Sequence, residues 1–176
     1  MSEAVTIRAL TGEEAHGRLD ALAALLIACV EGGASIGFMA PLPPERAQSF
    51  WRRIAEDVAR GARALLIAEE STTGSVIGTV QLILEQPENQ PHRADLAKMI
   101  VHPRIRRRGV GALLMRAAEE AARAARKTVL VLDTASDAAE RLYQRSGWTK
   151  VGVIPGYALM PDGALCDTTY YYKSLG

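Results

Sequence analysis

The sequence predicts a mixed α/β (α+β) fold, a mostly antiparallel twisted sheet with helices on both faces. Three observations carry this. Helix-like and strand-like apolar periods alternate along the chain in the order β-α-α-β-β-β-α-β-α-β-β. Three consecutive strands between residues 62 and 103 have no helix between them, which argues for antiparallel neighbours. One strand–helix–strand unit, residues 94–134, argues for a parallel pair inside the same sheet.

AVTIRAL (4–10) alternates as a strand does. TGEE (11–14) is a capping box, with Thr11 as N-cap and Glu14 three residues on. The helix it opens carries Leu19, Leu22, Ala23, Leu26 and Val30 on one face and stops at Gly32–Gly33. GGASIGFMAPLPP (32–44) holds three glycines and three prolines, so it cannot continue the helix and is a candidate binding loop. PERAQSFWRRIAEDVARG (44–61) is a second helix, with Pro44 in its first turn, an apolar stripe of Phe50, Trp51, Ile54 and Val58, and Gly61 at its end. ARALLIAEE (62–70) and SVIGTVQLILE (75–85) are strands joined by the turn STTGS, and QPENQPHR (86–93) is a polar loop.

ADLAKMIVHP (94–103) is a strand stopped by Pro103. After it, RRRGVG (106–111) opens a helix with Val110, Leu113, Leu114, Ala117, Ala118, Ala121 and Ala125 inward. Arg116, Glu119, Arg123 and Arg126 are placed outward, with Glu119 and Arg123 paired at i,i+4. TVLVLDT (128–134) is apolar on consecutive residues and reads as a strand buried on both faces. SDAAERLYQRSG (136–147) is a short helix ended by Gly147. WTKVGVI (148–154) and DTTYYYKSL (167–175) are the last strands, joined by a loop with turns at Pro155–Gly156 and Asp162–Gly163.

Composition narrows the function. With 176 residues, 48% hydrophobic and 23% charged, the chain is expected to fold as a single domain over 1–176. Its 21 basic and 20 acidic side chains argue against a general nucleic-acid binder, so the three arginines at 106–108 are a local feature. Cys29 and Cys166 lie far apart and form no metal motif, and both are expected to be free thiols. No His/Cys/Asp/Glu set has metal-ligand spacing, so no metal is expected. MSEAVTIR does not read as a signal peptide, and the longest apolar run, 21–30, is about half of the ~20 residues that span a bilayer. A cytoplasmic protein without a membrane partner, monomeric or homodimeric, is the expectation.

The arginine–glycine turn suits an anion. A helix N-terminus presents free N–H groups and partial positive charge, glycine lets a ligand approach the backbone, and arginines add charge-assisted contacts. A P-loop needs Lys and Ser/Thr after its last glycine, where Ala112 and Leu113 stand, and a dinucleotide fingerprint needs a glycine where Leu114 stands.

Residues 94–148 resemble the GNAT superfamily of acetyl-coenzyme A-dependent N-acetyltransferases. The signature Gln/Arg-x-x-Gly-x-Gly/Ala after a strand is matched by Arg106, Gly109 and Gly111, and Ala139, Leu142, Tyr143, Gly147 and Trp148 match the later signature. The resemblance implies that acetyl-CoA is the acetyl donor, with its pyrophosphate on the amides of Arg106, Arg107, Arg108, Gly109, Val110, Gly111 and Ala112. It implies a splayed strand pair, 96–101 and 128–133, that holds the pantetheine arm against the backbone of Met99, Ile100 and Val101. Many members carry Asn at the place of Ser136, which is a candidate cofactor contact and equally a helix cap. GGASIGFMA, LDT and PGYALMPDG with TTYYYKSLG resemble the tabtoxin-resistance acetyltransferase subfamily.

Acetyl transfer requires a deprotonated amine, donors for the developing oxyanion and a proton for the departing thiolate. Tyr143, placed where the family has a tyrosine near the coenzyme sulfur, is the candidate acid. Asp95, at the start of the strand that carries the acetyl group, and Asp133, at the C-terminal end of an apolar strand, are candidate bases, with a water chain as the alternative. A backbone N–H between Met99 and Val101 serves the oxyanion. His92 and His102 flank the same strand and His16 lies on an outer helix face, so all three are read as incidental. The acceptor is expected to be a small polar primary amine, amino-acid-like or an antimetabolite, held by Phe38 and Met39 of loop 32–42, the two aspartates and Tyr157. A protein lysine or N-terminal acetyltransferase and a non-catalytic CoA-binding module are the alternatives.

Overall fold

The computed structural model describes residues 4–176; the leader reading of MSEAVTIR and the domain reading of 1–176 include residues 1–3, which lie outside the described residues. The elements are β1 (Val5–Leu10), α1 (Gly12–His16), α2 (Leu19–Glu31), α3 (Pro44–Ala59), β2 (Arg63–Glu70), β3 (Val76–Ile83), β4 (Arg93–Val101), α4 (Val110–Ala124), β5 (Val129–Thr134), α5 (Asp137–Arg145), β6 (Thr149–Leu159) and β7 (Leu165–Ser174). They form one seven-stranded sheet in the order β1-β2-β3-β4-β5-β7-β6. Every neighbouring pair is antiparallel except β4–β5. The mixed sheet with one parallel pair is the architecture expected from the sequence.

Strand alternation sends the two sets of side chains to two cores. Leu66, Val80, Leu82, Leu96, Leu130 and Leu132 pack against Leu114, Met115 and Ala118 of α4 and Tyr143 of α5. Leu65, Ile67, Val76 and Ile100 face the other way, against Leu22, Leu26 and Val30 of α2 and Trp51 and Ile54 of α3. Close approach of α4 is built in at Gly78, where a Cβ would meet Leu114 Cδ1 at 3.0 Å and the Ile100 carbonyl at 3.1 Å.

Four expectations are corrected. The helix opened by the Thr11 capping box breaks after His16: Gly17 N–H donates to the Glu13 carbonyl and Arg18 N–H to the Ala15 carbonyl, and Arg18 leaves helical geometry at φ −113°. Arg18 is anchored there by Glu69 at 2.5 Å and the Gly74 carbonyl at 3.3 Å. β5 is buried on one face only, through Leu130 and Leu132, while Asp133 is exposed. The reason is that α1–α3 lie over β1–β4 and leave that face of β5 and β7 open. Pro155–Gly156 lies inside β6 as an irregularity between Ile154 and Ala158, where the Asp167 carboxylate takes the Gly156 N–H at 2.8 Å in place of a ladder carbonyl. The hairpin turn is at Asp162–Gly163 alone, with Gly163 N–H donating to the Met160 carbonyl at 2.9 Å.

Glu119 is the fourth. It points inward, 8% exposed, and accepts from Lys173 Nζ at 2.8 Å and Trp148 Nε1 at 3.3 Å. Arg123 instead donates to the Leu175 carbonyl at 3.3 Å. The pair ties α4 to β7 and to the start of β6. Lys173→Met strands a carboxylate with little access to water and should cost on the order of 3 kcal/mol, the low end for a buried pair because Lys173 keeps 19% side-chain exposure. Denaturant unfolding of the single variant and of Lys173→Met/Glu119→Leu checks this; the double variant should regain most of the loss.

Candidate active site

The parallel pairing of β4 with β5 covers three positions, Arg93↔Val129, Ala94↔Leu130 and Asp95↔Val131. Beyond Asp95 the strands part. From Leu96 to Val101, β4 is laddered to β3 on one side and has no strand partner on the β5 side. This is the splay that the resemblance implies. Unpaired backbone N–H and C=O groups facing each other are a slot for a ligand that brings amides of its own. Within the slot β4 also bulges: the register to β3 shifts between Thr79 and Gln81, Lys98 adopts φ +49°, and Thr79 Oγ1 donates to the Lys98 carbonyl at 3.0 Å. The bulge changes which residues face which way. Met99 and Val101 pack toward the α4 side, while Lys98 turns toward α3.

β4 leads through a short 3₁₀ turn (Pro103–Ile105) into the arginine–glycine segment. Gly109, at φ +83° and ψ −3°, is the N-cap of α4, and no side chain caps the helix. Arg107 is also left-handed, at φ +64°. Among the described residues, no carbonyl or side chain accepts from the backbone N–H of Arg106, Arg107, Gly109, Val110, Gly111 or Ala112; the first bond of the helix is Leu113 N–H to the Gly109 carbonyl at 3.1 Å. Alternating backbone hand and free amides at a helix N-terminus make an anion cradle. A Cβ at Gly109 would meet nothing within 4 Å, so the cradle is open on that side. At Gly111 a Cβ would meet Leu142 Cδ2 at 3.1 Å, so its missing side chain serves the packing of α5 on α4. Arg106 folds back and donates from Nε to the Val101 carbonyl at 3.4 Å.

The remaining sequence candidates fall on both sides of the seam. Tyr143 is 4% exposed, packed against Trp148 at 6.0 Å and Tyr171 at 5.8 Å between ring centroids. Burial pushes its hydroxyl well above the ordinary tyrosine value, and the Asp133 charge acts in the same direction. No hydrogen bond engages that hydroxyl among the described residues. Asp133 arrives from the open face and accepts from Thr168 Oγ1 at 2.9 Å. It is therefore an exposed carboxylate at the end of β5, where the sequence suggests a buried one. Asp95 is at the closed end of the seam, engaged by Arg93 NH1 and by Gln86 Nε2, the latter at 3.1 Å. Tyr157 shares a hydrogen bond of 3.1 Å with Tyr170, which holds the Tyr170 hydroxyl protonated, pushed up to about 12. Ser136 caps α5, accepting from Ala139 N–H at 3.3 Å, and His102 Nδ1 accepts from Arg104 N–H at 3.2 Å. Among the described residues no three His, Cys, Asp or Glu side chains converge as a metal site would. No helix among them is long and apolar enough to cross a membrane.

Beside the seam lies a cleft of about 370 Å³ between α3, the 32–43 loop and the Lys98 bulge. Phe38 meets Phe50 edge-to-face at 5.2 Å, so the loop phenylalanine does line it. Met39 points to solvent, 40% exposed. Phe50 of the apolar stripe also lines the cleft, with Arg46, Arg53 and Lys98, three residues that sequence reasoning did not single out. The arginines sit among polar residues on an amphipathic helix and carry no motif; only the bulge, invisible as a pattern, turns Lys98 toward them. The loop is tied down by Ala40 N–H to the Pro161 carbonyl at 3.1 Å and Ser35 Oγ to the Leu159 carbonyl at 3.1 Å.

A splayed parallel pair leads into a helix start suited to an anion, and comparison with known proteins gives the family. The acetyltransferase (GNAT) family pattern matches residues 26–148. Solved structures share the fold across nearly the whole chain. A phosphinothricin acetyltransferase from Sinorhizobium meliloti in complex with AcCoA superposes with a TM-score of 0.81 at 16% identity, covering 100% of this chain and 90% of that one. YncA of Salmonella typhimurium, with its cofactor acetyl-CoA, gives 0.80 at 20% identity, covering 98% and 95%. A ribosomal-protein-alanine N-acetyltransferase from Brucella melitensis gives 0.78 at 24% identity, covering 96% and 99%. The chain belongs to the GNAT family and is an acetyl-CoA-dependent N-acetyltransferase.

The cradle fits such a donor: its free amides suit a pyrophosphate, and the slot suits an extended amide-bearing arm. Gly109→Asp should weaken coenzyme A binding on the order of 10-fold or more relative to Gly109→Asn, because a like charge about 4 Å away costs roughly 1–4 kcal/mol. The asparagine variant carries the same backbone strain without the charge. Calorimetric titration with coenzyme A checks this, and equal affinities for the two folded variants would falsify the pyrophosphate placement.

Proposed function

We propose that the chain is a single N-acetyltransferase domain over 1–176 that moves an acetyl group directly from acetyl-CoA to the primary amine of a small polar, amino-acid-like molecule. The observation that carries this reading is the open seam, with Asp133 exposed at the end of β5 and Tyr143 buried in the core beside α4, its hydroxyl raised by burial and by the Asp133 charge. One group comes from the cofactor side of the sheet and one from the acceptor side.

Bound acetyl-CoA supplies a thioester carbonyl and a thiol leaving group. Asp133, held by Thr168, attracts the incoming ammonium and takes its proton at Oδ, directly or through water. The backbone N–H groups between Met99 and Val101 would favour the charge that develops on the thioester carbonyl oxygen. Tyr143, kept protonated by burial, gives its Oη proton to the departing sulfur. Asp95, engaged by Arg93 and Gln86 at the closed end of the seam, is the alternative base. The amides of Arg106 to Ala112 hold the pyrophosphate, and Ser136 contributes through the cap it gives α5.

The 32–43 loop favours a small acceptor over a protein chain. Its bonds to the β6–β7 hairpin close one side of the acceptor cleft, and Phe38 fills part of it. Within this reading the tabtoxin-resistance resemblance points to antimetabolite amines. The similar folds named for phosphinothricin and for ribosomal-protein alanine mark the small-molecule and protein ends of the range. Exposed Val151 (66%), Val153 (47%), Ile154 (44%) and Leu165 (73%) on the β6–β7 edge favour a homodimer over a monomer.

Tyr143→Phe should lower kcat by roughly 10²–10⁴ while coenzyme A still binds, as loss of a general acid does. Normal turnover of the preferred amine would remove Tyr143 from the mechanism. Because the Tyr143 hydroxyl is raised, it stays protonated through neutral and mildly alkaline pH. The wild-type rate should therefore climb with pH as the amine deprotonates, with no decline from this tyrosine up to its ordinary value of about 10. Asp133→Asn should slow turnover at neutral pH and recover partly at high pH, where free amine is abundant. A loss that is the same at every pH would make Asp133 a binding group alone.

A further inference from the structure

We infer that the acceptor carries an acidic group besides its amine, a carboxylate or a phosphorus oxyacid, and that Arg46, Arg53 and Lys98 bind it. This deepens the small-amine reading above and rests on it. Arg46, Ser49, Phe50 and Arg53 follow one another at i, i+3, i+4 and i+7, so α3 presents them as one stripe to the cleft. Phe38 and Phe50 form its aromatic wall, with the Arg46 guanidinium carbon 6.0 Å from the Phe38 ring and Lys98 Nζ 5.8 Å from the Phe50 ring. The cleft, about 370 Å³, has the volume of a site for a small molecule, and its lining holds three cations and no carboxylate.

Convergence on one cleft, combined with the lack of an ion pair, sets these three cations apart. Arg8, Arg18, Arg60, Arg63 and Arg93 each lie within ion-pair distance of an aspartate or glutamate. Among the described residues, Arg46, Arg53 and Lys98 have no such carboxylate. Lys98 is the costliest of the three. It is half-buried on a strand, in a left-handed conformation that lysine rarely adopts, and burial opposes its charge. The carboxylate it senses is Asp133, on the seam side. Charge is thus divided: the exposed Asp133 carboxylate, outside the cleft at the end of β5, suits an ammonium, and the guanidinium groups of α3 suit an oxyanion. A molecule with an amine at one end and an acid at the other matches both, whereas a diamine would bring a cation to the arginines. Guanidinium groups bind carboxylate and phosphorus oxyacids through the same forked geometry.

The test uses the full-length protein, acetyl-CoA and matched primary amines: amino acids against their carboxamides, side-chain carboxylates against phosphonates, and diamines of similar length. Thiol release is followed, and calorimetry measures binding of the N-acetylated acid and its N-acetylated amide. The acid-bearing members should be favoured at least 10-fold in kcat/KM. Arg46→Ala and Arg53→Ala should each lower that preference roughly 10- to 100-fold, through KM, as loss of a charge-assisted contact does. Both arginines are exposed, so these variants should fold, and Arg53→Glu should shift the preference toward diamines. The carboxylate and phosphonate arms decide which oxyacid fits. Preference for neutral or dicationic amines, unmoved by the arginine substitutions, would overturn the inference, and so would preference for acidic peptides over every small acid. If no amine releases thiol, the small-amine reading fails. Calorimetry then decides the charge claim separately: acid binding lost in Arg53→Ala supports it, and absence of acid binding overturns it.

Discussion

Everything at this site depends on where the parallel pairing between β4 and β5 stops. Three residue pairs hold the strands together, and then the bonding ceases while both strands continue. A strand edge inside a sheet is costly unless something bonds to it. Here the antiparallel partners β3 and β7 keep each strand in place, so the gap persists without loosening the sheet. The gap also sets the start of α4, because β4 runs through only eight residues before Val110. The slot and the anion cradle are therefore two consequences of one interruption in a ladder.

In the mechanism proposed above, the same interruption lets two separately packed halves act on one reaction. Tyr143 belongs to the core under α4 and α5, and Asp133 and Lys98 belong to the opposite face. A continuous sheet would insulate them from one another. Each half is held by its own core, Leu114 and Leu130 on one side and Trp51 and Leu26 on the other, so both sets of groups are positioned before any ligand arrives. The bulge at Lys98 completes the arrangement by shifting the face of β4 in the middle of the slot.

Much of this was legible in the sequence because it was local. The capping box at Thr11, the strand periods and the glycine at the start of α4 each express a backbone requirement of a few neighbouring residues. What stayed hidden was set by distant partners. Glu119 looked like half of a surface pair with Arg123, and its true partners, Trp148 and Lys173, arrive from β6 and β7. TVLVLDT looked buried on both faces because apolarity was read without knowing how far α1–α3 extend across the sheet. Arg46 and Arg53 were ordinary solvated arginines until the fold set them opposite Lys98 without a carboxylate between them. Gly111 is a mixed case: its place in the motif was visible, but Leu142, which needs the space, was not recognised as its neighbour.

The central claim is that the interrupted ladder and the α4 cradle form one continuous binding surface for acetyl-CoA. Amide hydrogen exchange, measured residue by residue with and without the coenzyme, tests it most directly. Protection should rise together in two stretches, the backbone of 96–101 that lacks a β5 partner and the amides of 106–112, and little elsewhere in the sheet. Protection of the cradle without the strand, or of neither while coenzyme A is bound, would contradict the account.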